Sequence, residues 1–352
     1  MRRIPSALVP VIFIPGLAFE ALLRMRAFLH STSIFPQHRL PGPVISIGNM
    51  TMGGSGKTPL VIYIARMLVT LGVPPAILSR GYKRRRPNTL RILPPSATVP
   101  SPAFTLGDEP ALIRRHIPSA WMGLSKNRYL AGTHIAKQLA KAVFVLDDGF
   151  QHRKLFRDLD IVVVDRNQPL GKNRVFPRGT LREPISELRR CHVIVINGDL
   201  DAKSDSFEEE IRKLHAKAEI FRCKQRIQSF VPFSAWVDGR THGDVIESVK
   251  SVYAAAAIGN PGRFLNDVQR TGVEVCGTGF FADHYGLTEK DWAACVQEAR
   301  GKGAEAIVTT EKDAVKISRP PDFPLLVSVQ STEISDTHAF ERILRNCIEE
   351  CP

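Results

Sequence analysis

A run of small residues followed by a lysine and a threonine has the clearest chemistry in this 352-residue chain. The run reads T-M-G-G-S-G-K-T and directly follows the apolar segment 44–47. Small residues let consecutive backbone N–H groups curl around phosphate oxygens, and a helix that follows points its positive end at them. The pattern therefore predicts a P-loop that binds ATP or GTP. The predicted binding residues are Thr51, Met52, Gly53, Gly54, Ser55, Gly56, Lys57 and Thr58.

Two residues of this loop have individual roles. Lys57 would reach the β- and γ-phosphates, and the Thr58 hydroxyl would ligate the Mg²⁺ that bridges them. The usual pattern has glycine where Thr51 stands. A glycine-rich turn before a helix is the simpler interpretation, but residues 59–68 have apolar side chains at helical spacing and Gly72 stands where such a helix would end. Strand, loop and helix thus follow in the order that phosphate binding requires.

Two consecutive aspartates follow a second apolar segment, 143–146. A carboxylate at the end of a buried strand beside a P-loop can hold Mg²⁺ directly or through water. One aspartate would serve the metal and the other would orient the reacting groups; we assign Asp147 to the metal and Asp148 to catalysis. An Asp-Asp-Gly sequence on its own is most often a turn, and the P-loop is what favours the functional interpretation.

The elements that must position these residues alternate between short apolar runs and helical stretches. This alternation predicts an α/β fold, a P-loop NTPase-type doubly wound sheet, with a second, smaller α/β domain joined by a short strand linker. The predicted strands of the first part are 75–78, 143–146, 160–164 and 193–196, and those of the second part are 252–258, 272–276, 306–309 and 325–329. Each apolar run of the first part ends near a polar residue, which places chemistry at the carboxyl ends of the strands.

The division of the chain follows from these elements. We predict an N-terminal membrane-associated segment 1–30, a P-loop domain 31–217, linker strands 218–245 and a C-terminal domain 246–352. The proline-rich segment 83–102 would be a surface excursion, 199–217 a charged helix, and 218–237 a connecting pair of strands.

The N-terminal segment 4–19 contains sixteen uncharged, mostly apolar residues. A membrane-spanning helix needs about 20 apolar residues, and this run contains three prolines and meets Glu20. We therefore expect shallow, interfacial insertion, with Arg24 and Arg26 facing anionic headgroups. A cleaved signal peptide and a helix packed on the protein's own core are the competing interpretations.

Composition restricts the partners. The formal net charge of +13 calls for an anionic partner, and nucleic acid, anionic lipid and phosphorylated substrates would all satisfy it. Aromatic residues make up only 7% of the chain and do not alternate with basic ones, so nucleic acid is not expected. The six cysteines form no C-x-x-C pair, which favours scattered reduced thiols over a zinc site.

The motifs together resemble the tetraacyldisaccharide 4′-kinases, the lipid A 4′-kinases of Gram-negative bacteria. The resemblance covers nearly the whole chain, and threonine at position 51 is itself typical of that family. The matching blocks are 44–59, 77–82, 107–110, 147–158, 176–184, 258–264, 281–284 and 309–314.

The resemblance implies a kinase that uses ATP and Mg²⁺. It would phosphorylate the 4′-hydroxyl of a tetraacylated glucosamine disaccharide 1-phosphate at the cytoplasmic face of the inner membrane, held there peripherally or monotopically. The resemblance implies Asp108 as the general base, paired with His284 from the second domain. It also places Arg182 at the nucleotide phosphates and Glu183 at the metal. The family usually has a second histidine where this chain has Tyr285.

The residue types alone leave other interpretations open. Asp108 could be a helix N-cap before 110–113, and a lone histidine such as His284 is more often structural than catalytic. For the whole chain the alternative is a membrane-associated P-loop switch or partitioning ATPase, which would hydrolyse ATP without a phosphorylated acceptor. The expected catalytic residues are Asp108, His284, Asp148 and Lys57, and no obligate protein partner is expected.

Overall fold

A computed structural model describes residues 9–350, apart from 33, 100, 168–169, 171–173, 199, 201–205 and 241–248. Its strands are β1 (Val44–Asn49), β2 (Pro75–Ser79), β3 (Arg91–Leu93), β4 (Trp121–Leu124), β5 (Val143–Asp147), β6 (Leu159–Asp165), β7 (Val193–Asn197), β8 (Glu219–Pro232), β9 (Ser251–Ala256), β10 (Glu274–Phe280), β11 (Ala306–Thr310) and β12 (Leu325–Ile334). Its helices are α1 (Val9–Ser31), α2 (Lys57–Thr70), α3 (Pro102–Leu106), α4 (Asp108–His116), α5 (Arg128–Ala136), α6 (Ser206–Leu214), α7 (Phe233–Val237), α8 (Pro261–Gln269), α9 (Glu289–Gly301), α10 (Glu311–Ala314) and α11 (Thr337–Glu349).

The strands form one sheet in the order β10-β9-β11-β12-β8-β7-β6-β1-β5-β2-β4-β3. Most neighbours run parallel, and separate apolar clusters lie on the two faces of the sheet. On one face α2, α4 and α11 contribute to the core, and on the other α5 and α6 do. This arrangement confirms the predicted doubly wound α/β fold.

The central strands are buried at every position. This holds for β1, β5, β6 and β7, as expected for parallel strands that are covered by helices on both faces. The neighbours β1 and β5 are in parallel register, with Ile47 opposite Asp147. The P-loop after β1 and the aspartates after β5 therefore emerge side by side at the carboxyl edge of the sheet.

The connection between the two halves differs from the predicted strand pair. Residues 218–237 contain one long strand, β8, followed by the short helix α7. The first part of β8 pairs in parallel with β7, and the remainder pairs antiparallel with β12. The prediction of two strands was wrong, and the sequence of β8 contains no glycine, asparagine or aspartate that would form a turn before its final Pro232. The partner strand comes from about 100 residues further along the chain.

The second half of the sheet has its own apolar clusters, in which α8 and α9 pack on β9 and β11. The last helix, α11, does not join them. Its Phe340 and Leu344 pack in the same cluster as Leu60 of α2 and Ile45 of β1. The predicted C-terminal domain 246–352 thus contains a helix that packs in the core of the first half. The predicted domain boundaries themselves stay a prediction.

Two smaller expectations also change. The segment 83–102 is not only a surface excursion, because β3 lies within it and pairs antiparallel with β4 at the edge of the sheet. A three-residue strand is too short to show a periodic pattern. The predicted charged helix 199–217 is the shorter helix α6, and positions 199 and 201–205 lie outside the described residues.

The N-terminal segment is a helix that continues well past Glu20. The structure describes it from residue 9, so the beginning of the apolar run 4–19 lies outside the described residues. Among its exposed apolar side chains are Leu22, Met25 and Phe28. Within the part of the chain that the structure describes, no helix combines the length and apolar composition needed to cross a membrane.

Candidate functional site

The P-loop is held in a conformation that depends on glycine. Gly53 and Gly56 have φ angles of 111° and 87°, which favour residues without a side chain. A Cβ atom on Gly56 would also collide with the side chains of Asn197 and Gln225. These side chains support the loop from behind, since Asn197 Nδ2 donates to the Ser55 carbonyl at 3.0 Å and Gln225 Nε2 to the Gly56 carbonyl at 3.3 Å.

Neither of these supporting residues was predicted from the sequence. Asn197 is the last residue of β7, and a polar residue at the end of an apolar run was the available signal. Gln225 lies within β8, where nothing in the alternating pattern distinguishes it from its neighbours. Arg263 of α8 was also missed; it donates to Asn197 Oδ1 at 3.2 Å and so connects the second half of the chain to the loop.

Thr51 has a structural reason to differ from glycine. It forms an antiparallel bridge with Leu181, and the backbone N–H of Arg182 donates to the Met50 carbonyl at 2.7 Å. Thr51 is buried by this contact. The bridge fixes the segment that carries Arg182 against the base of the P-loop.

Lys57, Asp148 and Arg182 form an ion-paired group at the mouth of the P-loop. Asp148 Oδ1 lies 3.4 Å from Lys57 Nζ, and Arg182 Nη1 donates to both oxygens of Asp148 at 3.0 and 2.9 Å. Burial acts to raise the pKa of Asp148, but Lys57 and Arg182 outweigh it and hold that pKa below its ordinary value. Burial lowers the pKa of Lys57, and Asp148 opposes this effect. Asp148 also has a φ of 51°, a conformation that is uncommon without glycine.

Asp147 is in a different environment from its neighbour. Its carboxylate is buried and accepts a hydrogen bond of 2.9 Å from the Ser79 hydroxyl. Burial, together with the negative charge of Asp148, raises the pKa of Asp147 to about 6. A buried carboxylate that is hydrogen-bonded to a hydroxyl fits a divalent metal ion, because the ion would supply positive charge beside it.

The donor set near Asp147 suits Mg²⁺ bound together with a nucleotide. The hydroxyl of Thr58 opens onto the same cavity as Asp147. Within the described residues no group of three or more histidine, cysteine or acidic side chains is placed to hold a metal by itself. Mg²⁺ commonly uses one or two carboxylates plus substrate phosphates and water, so these two residues are sufficient.

Asp108 and His284 meet across the two halves of the chain. Asp108 is the first residue of α4, and the N-cap position belongs to Gly107. The Asp108 side chain therefore does not cap its own helix, and its Oδ2 lies 3.0 Å from His284 Nδ1. His284 has a φ of 62°, and its backbone N–H donates to the Ala257 carbonyl at 3.2 Å. Uncommon backbone conformations thus occur at both His284 and Asp148.

One cavity of about 1050 Å³ brings these groups together. Its wall contains the predicted site residues Met52, Gly53, Gly54, Ser55, Gly56, Lys57, Thr58, Asp147, Asp148, Arg182 and His284. Asp108 lies directly behind the wall and is 8% exposed, while its neighbour Glu109 lines the cavity. A phosphate-binding loop and the imidazole of His284, which is backed by Asp108, therefore face a common space that can hold a nucleotide and an acceptor.

Glu183, which was predicted as a metal ligand, does not line this cavity. Its buried carboxylate lies 2.7 Å from Arg190 Nη2 and 3.5 Å from Arg153 Nε. Two guanidinium groups therefore occupy the oxygens that a metal would need. Arg182 and Glu183 are adjacent in sequence, but Arg182 pairs with Asp148 at the P-loop, whereas Glu183 pairs with Arg190 and Arg153.

The fold and the site define a class. A doubly wound sheet with a P-loop after β1 and paired aspartates after β5 is the arrangement of P-loop nucleotide-binding proteins. The carboxylate–imidazole pair that faces the loop is typical of proteins that act on an acceptor hydroxyl.

Comparison with known proteins agrees with this class and narrows it. A model of the family described as tetraacyldisaccharide-1-P 4'-kinase matches residues 8–349. The chain is 35% identical over 332 residues to the tetraacyldisaccharide 4'-kinase of Desulfotalea psychrophila, with 94% of each chain covered. It is 32% identical over 356 residues to that of Syntrophus aciditrophicus, covering 99% of this chain and 95% of the relative. The chain therefore belongs to the tetraacyldisaccharide-1-P 4'-kinase family, as the motifs predicted.

A solved structure supports the same conclusion. The crystal structure of an "apo" form of LpxK from Aquifex aeolicus in complex with ATP is similar with a TM-score of 0.77 and 27% sequence identity. The similarity covers 97% of this chain and 99% of that one. The two proteins therefore share the same overall fold.

Proposed function

We propose that this chain transfers the γ-phosphate of ATP to the 4′-hydroxyl of a tetraacylated glucosamine disaccharide 1-phosphate. The observation that carries the proposal is the common cavity, which has the P-loop on one wall and His284, with its partner Asp108 behind it, at the other. A protein that only hydrolyses ATP needs the first wall, whereas a kinase needs both.

The phosphate wall binds and orients the nucleotide. The backbone N–H groups of the loop would surround the β-phosphate, and Lys57 would contact the β- and γ-phosphates. Mg²⁺, held by Asp147 and Thr58, would neutralise the charge that develops on the phosphate oxygens. Arg182 and Asp148 keep Lys57 in place before the nucleotide arrives, because all three are ion-paired.

The acceptor wall supplies the general base for the acceptor hydroxyl. Asp108 accepts the proton of the 4′-hydroxyl, the sugar oxygen forms a bond to the γ-phosphorus, and the bond from that phosphorus to the bridging oxygen of ATP breaks to release ADP. The hydrogen bond with His284 uses one oxygen of Asp108, Oδ2, so the second oxygen is the one that can receive the proton. Transfer of this proton is late in a loose phosphoryl transfer, so orientation of the hydroxyl is the main contribution.

The N-terminal helix suits a lipid acceptor. Its side chains Leu22, Met25 and Phe28 are exposed, and such a row can insert shallowly into a bilayer. A second cavity, of about 610 Å³, lies between this helix and residues 35–38, where Leu29 and Phe35 contribute to its wall. The cavity offers an apolar site for an acyl chain. We propose that the chain works at the cytoplasmic face of the inner membrane, where the charge of +13 favours anionic headgroups.

The test is transfer of labelled γ-phosphate from ATP to a tetraacylated disaccharide 1-phosphate in mixed micelles. We expect labelled lipid from the parent, and a loss of at least about 100-fold in Lys57→Ala and in Asp108→Asn. Asp322→Asn makes the same change at an exposed position and should match the parent. ATP hydrolysis that depends on Lys57 but yields no labelled lipid would instead indicate a P-loop switch or partitioning ATPase.

A further inference from the structure

Four charged groups surround the imidazole of His284. Its Nδ1 faces Asp108 Oδ2 at 3.0 Å. Its Nε2 lies 3.3 Å from Lys312 Nζ, 3.8 Å from Glu109 Oε1 and 3.9 Å from Asp283 Oδ2. Three of the four groups are carboxylates, and Lys312 is the cation among them.

The contact with Lys312 determines where the imidazole carries its proton. A lysine ammonium donates hydrogen bonds and accepts none. Nε2 must therefore present its lone pair to Lys312, and the one N–H of the neutral ring must be at Nδ1. This N–H points at Asp108 Oδ2, which accepts it.

Lys312 also neutralises the carboxylates on its side of the ring. Its Nζ lies 3.1 Å from Asp283 Oδ1 and 3.8 Å from Glu109 Oε1. Without this cation, the carboxylates of Glu109 and Asp283 would be the hydrogen-bonding groups nearest to Nε2, and they can only accept from an N–H there. A neutral ring with its N–H at Nε2 could no longer donate from Nδ1 to Asp108.

We propose that Lys312 is a positioning residue, which keeps Nε2 of His284 without a proton and thereby leaves Asp108, not His284, to accept the proton of the acceptor hydroxyl. This inference rests on the proposed kinase function. Nε2 is occupied by the ammonium and is closed to the hydroxyl, whereas Asp108 retains an oxygen that His284 does not use.

Hydrogen bonds to one residue, Ala257, position both Lys312 and His284. Thr310 caps the short helix α10 by accepting from the backbone N–H of Asp313 at 3.2 Å. Asp313 Oδ2 accepts from the backbone N–H of Ala257 at 2.9 Å. The carbonyl of Ala257 in turn accepts from the backbone N–H of His284. The segments that carry Lys312 and His284 are thus both hydrogen-bonded to Ala257, which directly follows β9.

The residue before Lys312 fixes the same helix to the first half of the chain. The buried carboxylate of Glu311 lies 2.8 Å from His116 Nε2 and accepts from Trp236 Nε1 at 3.0 Å. His116 is the last residue of α4, whose first residue is Asp108. α10 therefore touches both ends of α4, which sets the distance from Lys312 to the pair.

The first test observes the protonation of His284 directly. Long-range ¹H–¹⁵N spectra of histidine-labelled protein give the protonation of each ring nitrogen, and His284→Gln identifies the resonance among ten histidines. In the parent at pH 7.5 we expect Nδ1 protonated and Nε2 unprotonated. In Lys312→Met, which removes the ammonium but keeps the chain length, we expect Nε2 to gain a proton.

The second test separates positioning from folding. In Lys312→Met we expect kcat to fall about tenfold or more with the KM for ATP unchanged, a part of the ~100- to 10,000-fold that positioned proton transfer contributes. Lys312→Arg keeps a cation and should recover most of kcat. Lys290→Met removes an exposed lysine of α9 and should change neither the spectrum nor kcat.

Each result bears on the proposal. An unprotonated Nε2 in Lys312→Met, or a protonated Nε2 in the parent, overturns it whatever the activity. A changed spectrum with an unchanged kcat also overturns it, because the proton position would then have no role in transfer. A parent that phosphorylates no lipid defeats the proposed function instead, and the spectra still decide the role of Lys312 in holding the ring.

Discussion

The two walls of the cavity are built differently. The phosphate wall comes from strands that lie side by side, so the loop after β1 and the aspartates after β5 are neighbours as soon as the sheet forms. The acceptor wall comes from residues 176 positions apart, with Asp108 on α4 and His284 on a loop of the second half. The first wall depends on the register of the sheet, and the second on how one half of the molecule is docked on the other.

This difference separates two kinds of damage. A substitution in the phosphate wall acts on nucleotide binding and on the metal. A substitution in the acceptor wall, or in the contacts that dock it, leaves the nucleotide site intact and acts on transfer. Measuring the Kd for ATP and kcat for the same variants therefore shows on which wall a residue belongs.

The largest effect is expected at the acceptor pair. Asp108→Asn and His284→Gln should each lower kcat by about 100- to 10,000-fold, the range for positioned proton transfer, with the Kd for ATP unchanged. The double variant should be little worse than either single variant, because the two residues act as a unit. Phosphate-transfer kinetics together with calorimetric titration of ATP measure both quantities.

Lys57→Ala is the contrasting variant, since it removes a contact of the phosphate wall and should weaken ATP binding. Losses of kcat that multiply in the Asp108 and His284 double variant would show that the pair does not act together. A weaker affinity for ATP in either single variant would mean that the two walls are not separate.

An intermediate effect is expected at Asp147. Its pKa in the folded protein, about 6, is above the value of an unfolded aspartate, so the folded state binds the extra proton. The resulting stability is fully present below about pH 4 and is lost as the pH rises through 6. In the absence of nucleotide and metal, Asp147→Asn should therefore be more stable than the parent at pH 8 by about 1–3 kcal/mol.

Thermal denaturation of parent and variant from pH 4 to pH 8 measures this difference, which should disappear at the acid end. Addition of Mg²⁺ and ATP should raise the Tm of the parent more than that of Asp147→Asn, because the variant has lost a metal ligand. A variant that is less stable than the parent at pH 8 would contradict the raised pKa of this carboxylate.

The smallest effect is expected at the docking contact of α10. Glu311→Gln keeps the shape of the side chain but removes its charge, which weakens two buried hydrogen bonds and should lower stability by about 1–3 kcal/mol. Kcat should fall severalfold, since α10 carries Lys312, while the Kd for ATP stays the same. Glu289→Gln, at a side chain that is 80% exposed, is the control and should behave as the parent. Weaker ATP binding in Glu311→Gln would assign this contact to the phosphate wall.

The phosphate wall was predictable because its signals are local. Strands buried on both faces have continuous apolar runs, and the loop that follows β1 has a composition that few other structures need. From these signals the order strand, P-loop and helix follows, as does the position of Asp147. The resemblance to a kinase family supplied the Asp108–His284 pair, which no periodic pattern indicates.

What the sequence did not show depends on contacts between distant segments. The sequence of β8 does not indicate that its partner strand is β12. The sequence around Gln225 does not indicate that this side chain supports a loop 169 residues earlier. Glu183 was placed at the metal by the family resemblance, which does not show the two guanidinium groups that pair with it. For β8 and Gln225 the missing information is the register of a strand, which tertiary packing decides.

The long strand β8 limits how the molecule can move. It is hydrogen-bonded to β7 at one end and to β12 at the other, and its register against β12 shifts at Gln330. The two halves therefore cannot swing apart on a flexible tether, as separate bodies would. Any opening of the cavity must twist or bend a continuous sheet. Because Gln225 lies on β8 and donates a hydrogen bond to the P-loop, a bend of that strand would move a support of the phosphate site.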